Sequence, residues 1–117
     1  MIEIAHLEVE QRGALVLATV TGELDASQAP QMGEQIAEAV PTSAKGLVVD
    51  FSALEFIDSS GVAMLFGLAR KLVSRRQRLS VVVTDGEAVA RVLEIVDFGK
   101  AARMHSDLDA ALADAGR

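Results

Sequence analysis

No cysteine occurs in the 117 residues, so neither a disulfide framework nor a thiolate metal site can form. That usage suits a reducing compartment. Tryptophan and tyrosine are missing too, and four phenylalanines make up the whole 3% aromatic fraction. A base-stacking platform therefore has nothing to be built from. Basic charge is scarce: 11 Lys and Arg stand against 17 Asp and Glu, a formal charge of −6. A chain this acidic has no broad positive field to gather a phosphate backbone, and nucleic acid is not an expected partner. Arg70, Lys71, Arg75, Arg76 and Arg78 do crowd together. They read as the solvated C-terminal end of a helix, where cations complement the dipole.

Long apolar runs are also missing. Val62 to Phe66 is among the longest, far short of the ~20 residues of a membrane span. Met1-Ile2-Glu3-Ile4 lacks the basic region and apolar stretch of a signal peptide. A cytoplasmic protein with no membrane insertion is the expectation. Half of the residues are nevertheless apolar and 24% charged, enough for a real core and too apolar for disorder. The length fits one domain over residues 1–117.

Catalytic patterns are absent as well. The two histidines, His6 and His105, have no nearby metal-type ligand in sequence, so no metal site is expected. No Gly-x-x-x-x-Gly-Lys and no Gly-x-Gly-x-x-Gly is present, which removes the two common nucleotide cradles. Ser59 has neither a Ser-x-x-Lys partner nor a Gly-x-Ser-x-Gly frame. No catalytic residue is expected, and the chain reads as something other than an enzyme.

What is present is an alternation of strand and helix signals. Residues 2–10 read as a strand, Gln11-Arg12-Gly13 as a turn and Leu15–Val20 as a second strand, together a hairpin. Thr21-Gly22-Glu23-Leu24-Asp25 ends it. Ala29, Met32, Ile36 and Val40 then recur at helical spacing, with Asp25 or Ser27 as cap, Pro30 in the first turn and Pro41 as stop. Leu47–Phe51 reads as a buried strand, followed by a loop holding Phe56 and Ile57.

A long helix follows, with Leu65, Leu68, Ala69 and Leu72 as its core stripe, and Leu79–Thr84 reads as a fourth strand. Thr84-x-x-Glu87 has capping-box spacing before a helix carrying Val89, Val92, Leu93 and Val96. Ala101–His105 reads as a short edge strand, and Ser106-x-x-Asp109 opens a last helix. Strand, helix, strand in that order makes parallel units with right-handed crossovers, and the hairpin makes the sheet mixed. The expected fold is α/β: a mixed sheet of four to five strands packed against about four helices.

One constellation stands out, Asp58-Ser59-Ser60-Gly61 at the start of the long helix. Asp and Ser are favoured N-caps, so capping alone explains them. A helix N-terminus also tolerates a phosphate, so a phosphoserine could be added there without melting the helix. Val62 to Phe66 are then five apolar residues in a row, and at about 100° each they circle the helix. Either neighbouring loops cover them, or Val62, Met64 or Phe66 faces outward as a docking surface.

The stretch Leu47-Val48-Val49-Asp50-Phe51-Ser52-Ala53-Leu54-Glu55-Phe56-Ile57-Asp58-Ser59-Ser60-Gly61, taken with Thr21-Gly22-Glu23-Leu24-Asp25, resembles the STAS domain. The likeness is strongest to the bacterial anti-sigma-factor antagonists, and the element order agrees over nearly the whole chain. It departs at Ala63, where many members have a second glycine. The resemblance implies a STAS-like single domain that works as a phosphorylation switch. Ser59 would be the phosphoacceptor. Asp25, Asp58, Ser60, Gly61, Val62 and Met64 would face the partner.

That partner would be an anti-sigma factor serine kinase, which binds the ATP itself, so the resemblance implies that this chain needs no cofactor. The unmodified chain would bind it and free a sigma factor, and a metal-dependent serine phosphatase would restore Ser59. The alternative is a non-switching STAS scaffold, a subunit of an ABC-type lipid or anion transport complex.

Overall fold

The computed structural model describes residues 4–117, so the Ile2 end of the expected first strand lies outside the described residues. Strand β1 (His6–Arg12) and strand β2 (Leu15–Leu24) form the antiparallel hairpin, with Val9 opposite Ala18. Helix α1 (Ala29–Ala39) has Pro30 in its first turn, where a missing N–H costs nothing, and ends just before Pro41. Strand β3 (Gly46–Asp50) is buried throughout and lies parallel to β2.

Strand β4 (Leu54–Ile57) runs directly into helix α2 (Ser59–Ser74). Strand β5 (Arg78–Val82), helix α3 (Ala88–Ile95), a 3-10 turn (Phe98–Lys100), strand β6 (Arg103–His105) and helix α4 (Leu108–Ala115) complete the order. The sheet runs β1-β2-β3-β5-β6, with β4 joined to the far end of β2. The α/β class, the mixed sheet and the four helices are as expected.

Where the structure differs, the cause is local. The stretch read as a loop around Phe56 and Ile57 is β4, which gives the sheet a sixth strand. It pairs only with Gly22, Glu23 and Leu24 at the end of β2, across a register shift between Gly22 and Glu23 that leaves Glu55 unpaired. Gly22 sits at φ +85°, a backbone that residues with a Cβ rarely adopt, beside the irregularity in the β2–β4 pairing. β2 runs four residues past the expected Val20.

The expected helix starts also shift. Neither Asp25 nor Ser27 caps α1; Gln28 stands at that position without a side-chain bond. Thr84 and Glu87 form no capping box: α3 starts only at Ala88, with Glu87 itself at the N-cap position, and the Thr84 hydroxyl donates to the Ser52 carbonyl oxygen. Asp107, not Ser106, caps α4, accepting from the Ala110 N–H.

Helices α1 and α2 pack on one face of the sheet over a large cluster that includes Val16, Leu47, Val49, Leu65, Leu68 and Val81. α3 and the 3-10 turn extend the same cluster through Leu93 and Phe98. α4 covers the other face over a smaller cluster of Leu15, Leu17, Val48, Val82, Ala111 and Ala115. The parallel strands all point one way, so the starts of the following helices gather at a single edge of the sheet.

Candidate functional site

At that edge the end of β2 and the start of α2 are stitched together. The Asp58 N–H donates to the Leu24 carbonyl oxygen at 3.2 Å. Asp58 is the N-cap of α2, and its Oδ1 accepts from the N–H groups of Ser60 (2.9 Å) and Gly61 (3.1 Å). Its Oδ2 accepts from the Ala26 N–H at 3.2 Å. Both carboxylate oxygens are thus already engaged within the chain.

Gly61 is buried in the first turn. A Cβ there would come within 2.5 Å of Ile57 Cγ1 and 3.3 Å of Leu24 Cδ2, so only glycine lets α2 start this close to the strand ends. Gly61 therefore shapes the site from beneath and does not face a partner.

Asp25 is fixed by its own turn. Its Oδ1 accepts from the Ser27 hydroxyl (2.6 Å) and the Ser27 N–H (2.9 Å). Those two bonds hold its carboxyl below the usual aspartate range, the hydroxyl contributing most. Its carbonyl oxygen accepts from the N–H groups of Gln28 and Ala29, which starts α1. Asp25 and Asp58, 33 residues apart in sequence, lie on neighbouring segments joined through Ala26.

The two serines have different surroundings. Ser59, the first residue of α2, is exposed. Ser60 is half-buried and borders a groove of about 690 Å³ between α1 and α2, which Pro30, Gly33, Ala63, Gly67 and Arg70 also line. The amides of Ser60 and Gly61 bond Asp58, so the N-terminus of α2 offers fewer open donors to a phosphate than the sequence suggests. A phosphate on Ser59 would stand mainly in water.

The apolar run sorts differently from the expectation for Met64. Met64 is only 8% exposed and belongs to the main core. It lies under α1, so close to Gly33 that a Cβ on that glycine would reach Met64 Cγ at 2.8 Å. Its side chain lines the floor of the α1–α2 groove and does not project outward beside Ser59. Val62 and Phe66 are half-buried, and Phe66 meets Phe98 edge-to-face at 5.0 Å. The residue that faces outward beside Ser59 is Ala63, one helical turn on. Sequence reasoning noted Ala63 only as the place where many STAS members have a second glycine, although its i+4 spacing from Ser59 was visible.

Among the described residues, no cluster of three or more His, Cys, Asp or Glu is placed to hold a metal ion. None of their helices is long and apolar enough to cross a membrane.

Comparison with known proteins places the fold. The family model described as the STAS domain matches residues 6–111. The chain is 29% identical over 104 residues to the anti-sigma-F factor antagonist RsfB of Mycobacterium tuberculosis, covering 89% of this chain and 84% of that one. It is similar to the crystal structure of an anti-sigma factor antagonist from Mycobacterium paratuberculosis, with TM-score 0.86 and 27% identity over 97% of this chain and 96% of the other. The fold is also that of the Bacillus cell fate determinant SpoIIAA in its phosphorylated form, at TM-score 0.68 and 23% identity, covering 96% and 100%. With a fold of this order and a family match over most of its length, the chain belongs to the STAS domain family.

Proposed function

We propose that this protein is an anti-sigma factor antagonist that acts by binding and is switched at Ser59. The observation that carries the reading is the pairing of an exposed Ser59 with the Asp25 turn at one edge of the sheet. The likeness to anti-sigma factor antagonists of mycobacteria supports it. The unmodified edge binds an anti-sigma factor serine kinase, which holds the ATP, and a sigma factor is released. A metal-dependent serine phosphatase restores the hydroxyl.

The docking face comprises Ser59, Ala63, the exposed part of Val62 and Asp25, with Ser60 at its border. Phosphorylation adds about −1.5 to −2 charge near pH 7. In the complex that charge meets a surface shaped for a neutral hydroxyl, beside the carboxylates of Asp58 and Asp25. An unpaired charge forced into an interface costs several kcal/mol, and ~3 kcal/mol already exceeds a hundredfold in affinity.

The test is incubation with candidate anti-sigma factor kinases and ATP. One phosphate on Ser59, abolished in Ser59→Ala, is expected, with Ser59→Ala staying bound to the kinase. A phosphate found only on Ser60 would move the switch by one residue. No phosphorylation and no binding by any such kinase from the same genome would remove this function.

A further inference from the structure

A helix cap needs one acceptor oxygen, and Ser, Thr or Asn supplies one as well as Asp does. Asp58 uses its second oxygen elsewhere. Oδ1 takes the amides of Ser60 and Gly61, while Oδ2 takes the amide of Ala26, 32 residues earlier. Ala26 sits between Asp25 and Ser27, in the turn whose own bonds aim the Asp25 carboxylate. α1, which begins just after that turn, has no side-chain cap of its own.

We infer that Asp58 is a positioning residue that holds the Asp25 turn against the first turn of α2, so that Asp25 and Ser59 meet a partner as one preorganised surface. It acts through Asp25: its oxygens are engaged by the amides of Ser60, Gly61 and Ala26 and hold the two segments together. This rests on the proposed function only in taking Asp25 and Ser59 to be the docking groups.

Asp58→Asn separates the two tasks. The amide oxygen can keep the α2 cap, but the NH₂ group then faces the Ala26 N–H, donor against donor. In the full chain, the Ala26 amide should exchange with solvent about tenfold faster or more, while the Ser60 and Gly61 amides stay protected. In the unmutated protein, a scalar coupling across the hydrogen bond from the Ala26 amide to the Asp58 carboxyl carbon should be detectable by NMR, which needs no variant to fold. Absence of that coupling, or unchanged Ala26 exchange in a folded Asp58→Asn, overturns the clamp.

The second arm is a double-mutant cycle on affinity for the anti-sigma factor kinase. Asp25→Ala and Asp58→Asn should each weaken binding, and Asp25→Ala should weaken it far less once Asp58→Asn is present. Additive losses would mean that Asp58 does not work through Asp25 and would overturn the positioning role. If the unmutated chain binds no such kinase, the functional reading fails, while the two NMR measurements still decide the clamp.

Discussion

On one face of the sheet, α1, α2 and α3 pack over Leu47, Val49 and Val81; on the other, α4 alone covers Val48 and Val82. Alternate residues of the same strands feed the two faces, as the pleat requires. The larger face carries bulky side chains, among them Phe51, Leu65, Leu93 and Phe98, whereas α4 contributes Ala111 and Ala115 as its buried residues. Small residues let α4 lie close to the sheet but add little apolar area. The proposed docking edge belongs to the larger face, where the start of α2 is anchored both by core side chains and by bonds to strand ends. Rigidity there has a use: a surface already ordered loses less entropy on binding.

The sharpest test of this contrast lies within α2. Met64→Asp places a carboxylate in the main core without a partner and should cost several kcal/mol, enough to abolish or greatly weaken cooperative unfolding in denaturant. Ala63→Asp, one residue earlier on the exposed side, should leave the unfolding midpoint almost unchanged and weaken kinase binding instead. Equal stabilities for the two variants would show that α2 is not oriented as described.

Next in size are the two faces themselves. Leu68→Ala removes a side chain that is 3% exposed in the larger cluster and should cost ~2–5 kcal/mol. Leu112→Ala, half-buried on α4, should cost only about 1–2 kcal/mol, because less apolar area leaves the protein interior. Equilibrium denaturation of both reads the difference directly. A Leu112→Ala loss as large as that of Leu68→Ala would show that α4 is as deeply anchored as α2.

Periodicity was enough to locate the four helices and the core stripe Leu65, Leu68, Ala69 and Leu72, all buried as expected. It failed where tertiary contacts decide. Leu54-Glu55-Phe56-Ile57 has four residues and outward-facing Glu55 and Phe56, too short a pattern to distinguish from a loop. Its pairing with the end of β2 crosses a register shift at Gly22 and Glu23 that no local pattern announces. Met64 lies in a run that is apolar all round the helix, and nothing local says that α1 presents a glycine to it. The cap of α3 slipped too, since the helix starts only after Glu87 and leaves Thr84 in the preceding loop, where its hydroxyl bonds Ser52, a residue distant in sequence. At the proposed docking edge, Ser59 and Asp58 stand out as a local motif, and Asp25 was singled out by the resemblance to the STAS family. The bond from Ala26 to Asp58 was not, because a backbone N–H leaves no mark in sequence.

The smallest expected effect concerns the Asp25 turn and its pH dependence. The Ser27 hydroxyl, and then the Ser27 N–H, stabilise the charged carboxylate of Asp25 and lower its pKa from the ordinary aspartate value of 3.8. A folded-state pKa below the unfolded one means these bonds favour the fold above the ordinary carboxylate range. Their contribution fades as pH falls through the lowered folded value. At neutral pH the carboxylate is ionised with or without Ser27, so Ser27→Ala alters where the charge points and not how much charge there is. An NMR titration of the Asp25 carboxyl carbon should give a midpoint below 3.8 in the unmutated chain, moving up toward that value in Ser27→Ala. Global stability should hardly change, since the group lies at the surface, while the loss of aim should show as a modest drop in kinase affinity at pH 7. A midpoint unaffected by Ser27→Ala would mean that the turn does not hold the carboxylate, and that only the Ala26–Asp58 bond ties this segment to the docking edge.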